Sequence, residues 1–191
     1  MLTKTELKQV LLLSAIGVMA LMSVRSLRAQ TSNPCTEVKL PAPVVESIKT
    51  KFSGWRPKQI SDLAADDQQL WLKAHRDECP GMAVGHFESS DQLSYGVLLV
   101  PQSKPTGGYN LLVFNRMANG DVYVWKSLDH AEAAYSGLVI SKVPPGQYSH
   151  YDNASISAKT KLDSILLEWI EKGAYLYYWS AGRYKKLEVS G

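Results

Sequence analysis

Two cysteines, Cys35 and Cys79, carry the most definite chemistry in this 191-residue chain. A cysteine nucleophile needs a free thiolate beside a base, whereas an even number of cysteines in an exported chain favours a disulfide. Because the amino terminus has the features of an export signal, we predict a disulfide between them. This bond would tie an irregular segment over residues 31–40 to the start of a β-rich region.

Catalytic and metal-binding patterns are absent from the sequence. The nucleophile elbow Gly-x-Ser-x-Gly of many serine hydrolases does not occur. No two histidines have the spacing that places metal ligands on one face of a helix. The four histidines are His75, His86, His130 and His150. We therefore assign no catalytic residue, no metal and no cofactor, and favour a binding or accessory module without catalytic activity.

Aromatic residues alternate along two predicted strands. Tyr123 and Trp125 share one face of the first, and Tyr175, Tyr177 and Trp179 share one face of the second. Such side chains combine a large contact area with a polar tip, which suits protein interfaces and sugar rings. We predict that these five residues form a binding surface. The alternative is that they are cross-strand pairs inside a second core layer.

Two other functions stay open. A hydrolase acting on envelope material could use His86, Glu88 and Asp91 if they converge near one turn. An inhibitor or immunity-type protein would instead present a protruding loop, for which residues 144–148 are the natural candidate.

The first 29 residues resemble a secretory signal peptide. Lys4 and Lys8 precede an uncharged apolar run over residues 10–24, which Arg25 and Arg28 close. That run of 15 residues is shorter than the roughly twenty needed to cross a bilayer. We expect cleavage after Ala29, with cleavage after Ser26 as the alternative. The mature chain, residues 30–191, is then a single secreted or periplasmic domain without a stable membrane anchor.

The charge balance argues against nucleic acid as a partner. The chain has 21 basic and 18 acidic residues, and removal of the leader takes away four basic residues and one acidic residue, leaving 17 of each. A nucleic-acid reader usually has a clustered basic face, and the only adjacent basic pair is Lys185-Lys186. An envelope protein or a glycan is the favoured partner, and the sequence does not indicate an oligomeric state.

The predicted fold is α+β, with two short helices followed by an antiparallel meander of six to eight strands. Apolar stripes and capping residues place the helices near residues 43–52 and 64–76. Segment 161–170 fits either a helix or a strand, and the compact turn that follows favours a strand. Turn residues separate the other predicted strands, which cover residues 82–88, 93–101, 109–115, 121–128, 137–143, 174–180 and 184–189.

Three stretches of the sequence carry a resemblance. They are Gly-His-Phe at residues 85–87, Tyr-Gly-Val-Leu-Leu-Val-Pro at 95–101, and Tyr-Tyr-Trp-Ser-Ala-Gly-Arg-Tyr at 177–184. Together they resemble a group of uncharacterised small proteins exported by Gram-negative bacteria. The resemblance implies export, and it transfers no activity and no catalytic residue.

Overall fold

Short helices precede a series of antiparallel strands in the computed structural model, which describes residues 33–117, 120, 122–134 and 136–191. The predicted leader and its cleavage site lie outside the described residues. Residues Asn33–Gly191 form one compact unit. The predicted α+β fold is confirmed, and strands make up most of the regular secondary structure in the described part of the chain.

Local sequence signals explain the helices. The Asn33 side chain accepts a hydrogen bond from the amide of Cys35 and caps the first helix, whose first position is proline. Val44 and Ile48, four residues apart, form the buried stripe of the second. Both predicted helices are confirmed, and the first helix is an addition within the segment predicted to be irregular. The helices are α1 (Pro34–Glu37), α2 (Ala42–Lys51) and α3 (Ala65–Ala74), with a 3₁₀ turn at Ile60–Asp62.

Eleven strands lie within the described part of the chain, three of them only three residues long. Segment 161–170 contains a strand, as predicted. In chain order they are β1 (Trp55–Pro57), β2 (Met82–Gly85), β3 (Ser94–Pro101), β4 (Tyr109–Arg116), β5 (Tyr123–Ala131), β6 (Leu138–Val143), β7 (Gln147–Ser149), β8 (Ser157–Lys159), β9 (Ser164–Trp169), β10 (Gly173–Ser180) and β11 (Arg183–Ser190).

The strands form two sheets and a separate hairpin. The first sheet has the order β1-β3-β4-β5, and β2 also pairs with β3. The second has the order β11-β10-β9-β6, and β7 pairs with β8. All these pairings are antiparallel.

The two sheets pack face to face around an apolar core. Leu98 and Leu111 of the first sheet meet Ile140, Ile165 and Leu167 of the second, and all five are fully buried. Helix α2 covers the outer face of the first sheet, and the β7–β8 hairpin covers the outer face of the second. Because β3 and β4 are buried on both faces, they read as continuous apolar runs rather than alternating ones.

The predicted disulfide is present. Cys35 and Cys79 are bonded, with their Cα atoms 4.6 Å apart, and both are buried beside Met82. The bond joins α1 to the segment that leads into β2. A disulfide of this kind indicates an oxidising, extracytoplasmic environment. Within the residues that the structure describes, no helix is long and apolar enough to cross a bilayer.

A buried lysine fastens the loop before β6 to the first sheet. Lys58 has no solvent exposure, and its Nζ donates a hydrogen bond to the carbonyl oxygen of Ser136 at 2.5 Å. Burial lowers the pKa of Lys58 to about 8, and the nearby Asp62 and Asp67 carboxylates oppose that effect. No pattern in the sequence predicts that Lys58 is buried.

Loss of the disulfide should destabilise the domain. The bond closes a loop of 44 residues, so the double variant Cys35→Ser/Cys79→Ser should lose about 4 kcal/mol of unfolding free energy, because the unfolded chain gains conformational freedom. Urea denaturation measures this loss, and reduction of the wild type provides the matched control. Equal stability of the variant and the oxidised wild type would contradict the prediction.

Lys58 should make stability depend on alkaline pH. Its folded pKa of about 8 lies below the unfolded value of about 10.4, so the unfolded state binds more protons between these values. The unfolding free energy should therefore rise from pH 8 to about 9.5, by at most about 1.4 kcal/mol per pH unit. In Lys58→Met this rise should disappear. Denaturant titrations across the range measure both slopes, and an unchanged slope in the variant would refute the assignment.

Candidate functional site

The five predicted aromatic residues lie on two separate surfaces. Tyr123 and Trp125 face α2, where the Trp125 ring meets Phe52 with centroids 5.1 Å apart. Tyr175, Tyr177 and Trp179 instead lie on the face of β10 that looks toward the first sheet. A single aromatic contact surface is therefore not formed. Alternation along each strand predicted the faces correctly, but it carried no information on what each face meets.

The five aromatic side chains also differ in their solvent exposure. Trp125 is 38% exposed, whereas Tyr177 is 2% exposed and belongs to the core between the sheets. Tyr123, Tyr175 and Trp179 are half-buried. Tyr177 thus contributes mainly to packing, while Trp179 keeps part of its ring open to solvent.

One side of the sandwich is polar. It lies between β5 and β11, where Asp129 accepts hydrogen bonds from the Tyr177 hydroxyl and, at 2.9 Å, from Lys186 Nζ. Burial acts to raise the pKa of Asp129, but the hydrogen bonds from Lys186 and Tyr177 outweigh it and hold that pKa below its usual value. Burial, reinforced by Asp129, raises the pKa of Tyr109 to about 12. The carboxylate is charged and the tyrosines are neutral at neutral pH.

A second group of polar contacts lies farther along the same side. Lys126 Nζ of β5 is 2.8 Å from Glu88 Oε1, and it lies 4.3 Å from the centroid of the Trp179 ring. Asn115 Nδ2 donates a second hydrogen bond to Glu88 Oε1 at 2.7 Å. A cation of the first sheet therefore rests on an aromatic ring of the second, which is a favourable contact.

The hairpin turn after β10 positions Trp179. Ala181 and Gly182 have φ values of 52° and 77°, which is the left-handed geometry of a two-residue hairpin turn. This turn sets Trp179 opposite Tyr184, and the two rings meet edge to face with centroids 5.1 Å apart. Backbone geometry thus holds the indole next to the end of β10.

Trp179 lines two neighbouring clefts. One, of about 380 Å³, lies between β5 and the β10–β11 hairpin. The other, of about 520 Å³, lies toward β8 and the loop after β2. We call the two clefts together the Trp179 groove. Its aromatic and charged lining residues are Glu88, Lys126, Lys159, Lys161, Tyr177, Trp179, Arg183, Tyr184, Lys185 and Lys186.

Cations dominate the Trp179 groove. Among the described residues, Glu88 is the only acidic residue that lines it, and Glu88 is already paired with Lys126. Four lining cations have no ion-pair partner among the residues that the structure describes: Lys159, Lys161, Arg183 and Lys185. These four come from β8, the turn after it and β11, so the adjacent pair Lys185-Lys186 was the only visible sign of the cluster in the sequence.

The residues considered for a hydrolase have separate partners. His86 Nδ1 lies 3.2 Å from the carbonyl oxygen of Gln92, Glu88 pairs with Lys126, and Asp91 accepts from the Ser90 hydroxyl. No hydrogen bond or ion pair joins these three in the described part of the chain. His75 lines a different cleft with Glu168 and stacks on Trp71, but no hydroxyl or thiol side chain lines that cleft.

The loop considered for an inhibitor is tied to its own hairpin. The Tyr148 hydroxyl donates to the carbonyl oxygen of Pro144 at 2.5 Å, and the amide of Gly146 donates to Thr160 Oγ1 at 2.9 Å. Across the described residues, no group of three or more histidine, cysteine, aspartate or glutamate side chains is placed to hold a metal ion.

Comparison with protein-family models, curated proteins and solved structures finds no match to this chain. The resemblance to small exported proteins of Gram-negative bacteria therefore stays a prediction.

Removal of the Asp129 carboxylate should weaken the polar side of the sandwich. Asp129→Asn should lower the unfolding free energy at pH 7 by about 1.5–3 kcal/mol, because the hydrogen bonds from Tyr177 and Lys186 lose their charged acceptor. Since the folded pKa is depressed, this contribution is present above about pH 4 and is lost as the pH falls through the folded pKa. The difference between wild type and variant should therefore shrink in acid.

Asp77→Asn, at an exposed position, is the matched control and should cost little at any pH. Denaturation at pH 7 and pH 3 gives both comparisons. A pH-independent difference for Asp129→Asn would show that its carboxylate charge is not the stabilising group.

Proposed function

We propose that this chain is an exported, non-catalytic module of the periplasm or cell exterior that binds an envelope glycan in the Trp179 groove. The observation that carries the proposal is the position of Trp179, whose half-buried ring lines two adjoining clefts and is held by the hairpin turn. Flat, partly exposed aromatic rings fixed in a concave site suit the apolar faces of sugar rings. The surrounding lysines supply hydrogen-bond donors for sugar oxygens.

A glycan fits the groove better than a protein strand. The exposed edge of β5 would be the place for an added strand, yet Lys126 and Asp129 point inward from it and a β-bulge interrupts its register beside Leu111 and Leu112. Inward charges and bulges are features that protect sheet edges against pairing. They favour a partner that enters the groove over one that extends the sheet.

The lining of the groove supports binding without catalysis. Of the residues that the structure describes, Glu88 is the only carboxylate that lines it, and both Lys126 and Asn115 donate hydrogen bonds to that carboxylate. Glycoside hydrolysis ordinarily uses two carboxyl groups on either side of the scissile bond. No histidine lines the two clefts within the described ranges of the chain.

Export supports an envelope ligand. The Cys35–Cys79 disulfide is typical of an oxidising compartment, and the predicted leader would deliver the chain to the periplasm or beyond it.

Substitution of Trp179 should abolish most of the glycan binding. Calorimetric titration with a panel of neutral and anionic hexasaccharides should reveal at least one ligand, and Trp179→Ala should weaken its binding about tenfold or more, or about 1.4 kcal/mol. Trp125→Ala removes an aromatic ring of the same type from the other surface and should leave the affinity unchanged. Binding of no member of the panel by the folded protein, or equal losses in the two variants, would overturn the proposal.

A further inference from the structure

We infer that the ligand of the Trp179 groove is a polyanionic glycan, a sugar chain that carries carboxylate or phosphate groups along its length. This inference rests on the proposed function and adds the charge class of the ligand. Its basis is the number, pairing and placement of the cations around the indole.

The groove concentrates positive charge in a domain that is otherwise balanced. The mature chain has equal numbers of basic and acidic residues, yet six cations and one carboxylate of the described chain line these two clefts. Like charges gathered on one surface repel each other, and an anionic ligand removes that cost on binding. The local excess therefore favours anions over neutral sugars.

The cations of the groove include two sets, those that have an ion-pair partner and those that are exposed without one in the described part of the chain. Lys186 is held by Asp129, and Lys126 is held by Glu88 and the Trp179 ring. Lys159, Lys161 and Arg183 are exposed and have no ion-pair partner within the described residues. The first pair shapes the groove, and the second set is available to a ligand.

The available cations are distributed over both clefts that adjoin the indole. Lys159 and Lys161 line the cleft toward β8, whereas Arg183 lines the cleft beside β5, and Trp179 belongs to both linings. A single small anion would engage one side only. A chain with repeated anionic groups engages both sides at once and places a sugar ring against the indole between them.

Single-stranded nucleic acid is the competing polyanion, since it also uses cations and stacking rings. Nucleic-acid grooves stack successive bases on several exposed aromatic side chains. Here Tyr177 is buried and Tyr184 meets the Trp179 edge, so the indole is the main ring that the groove offers. One ring flanked by cations suits an anionic sugar chain better.

The experiment compares ligands that share a backbone and differ in charge. The probes are a galacturonate hexasaccharide, its methyl ester, a phosphorylated mannan fragment and a dT12 oligonucleotide, each titrated into the oxidised mature protein. The wild type should bind the galacturonate or the phosphomannan at least tenfold more tightly than the methyl ester. Which of these two binds more tightly identifies carboxylate or phosphate as the natural group. Binding should weaken between 50 and 200 mM salt, because the contacts are ionic.

Two matched triple variants locate the binding. Lys159→Gln/Lys161→Gln/Arg183→Gln removes the available groove cations and should weaken binding tenfold or more. Lys49→Gln/Lys51→Gln/Lys73→Gln removes three exposed cations from α2 and α3 and should change it less than twofold. Circular dichroism and thermal unfolding confirm that both variants are folded.

Each remaining outcome counts against the inference. Equal affinity for the galacturonate and its methyl ester, with loss in Trp179→Ala, would overturn the charge class and leave the proposed function standing. Absence of binding to every glycan would overturn both. Tighter binding of dT12 than of any glycan would replace the glycan by a nucleic acid, and equal losses in the two triple variants would place the site elsewhere.

Discussion

The rest of the structure depends on the interface between its two sheets, which is apolar over most of its area and polar between β5 and β11. On most of that interface the sheets meet through fully buried aliphatic side chains, and their packing needs no specific partners. Between β5 and β11 the same interface contains Lys126, Asp129 and Lys186, which cannot be buried without partners. Each therefore contacts a group on another element, and the two lysines keep part of their side chains in solvent, so this side of the interface stays polar and partly open.

The polar side of the interface also explains why the Trp179 ring is partly exposed to solvent. Tyr177 lies deep enough for its ring to be buried and its hydroxyl to reach Asp129, whereas Trp179, two residues along and next to the end of β10, is only half-buried. Lys126 covers part of the indole and Tyr184 supports its edge. The ring is thus fixed without being enclosed, which is the condition for a preformed binding site.

Much of the fold could be predicted from the sequence, because its signals are local. The cysteine pair, the stripe of Val44 and Ile48 and the turn residues between apolar runs predicted the disulfide, a helix and most strands. The hairpin strands β7 and β8 were missed because they are three residues long and partly polar. The groove was missed because Lys126, Lys159 and Arg183 come from separate segments, and strand alternation shows only which face a residue occupies, not what covers it. The burial of Lys58 could not be predicted from the sequence, since lysine side chains are almost always exposed.

The most direct test of the account follows the indole N–H signals of the five tryptophans by NMR while an anionic hexasaccharide is added to the folded protein. Trp179 should shift or broaden first, and Trp125 and the buried Trp71 should not respond. A response led by Trp125, or uniform small changes at all five, would show that the ligand does not enter between the sheets.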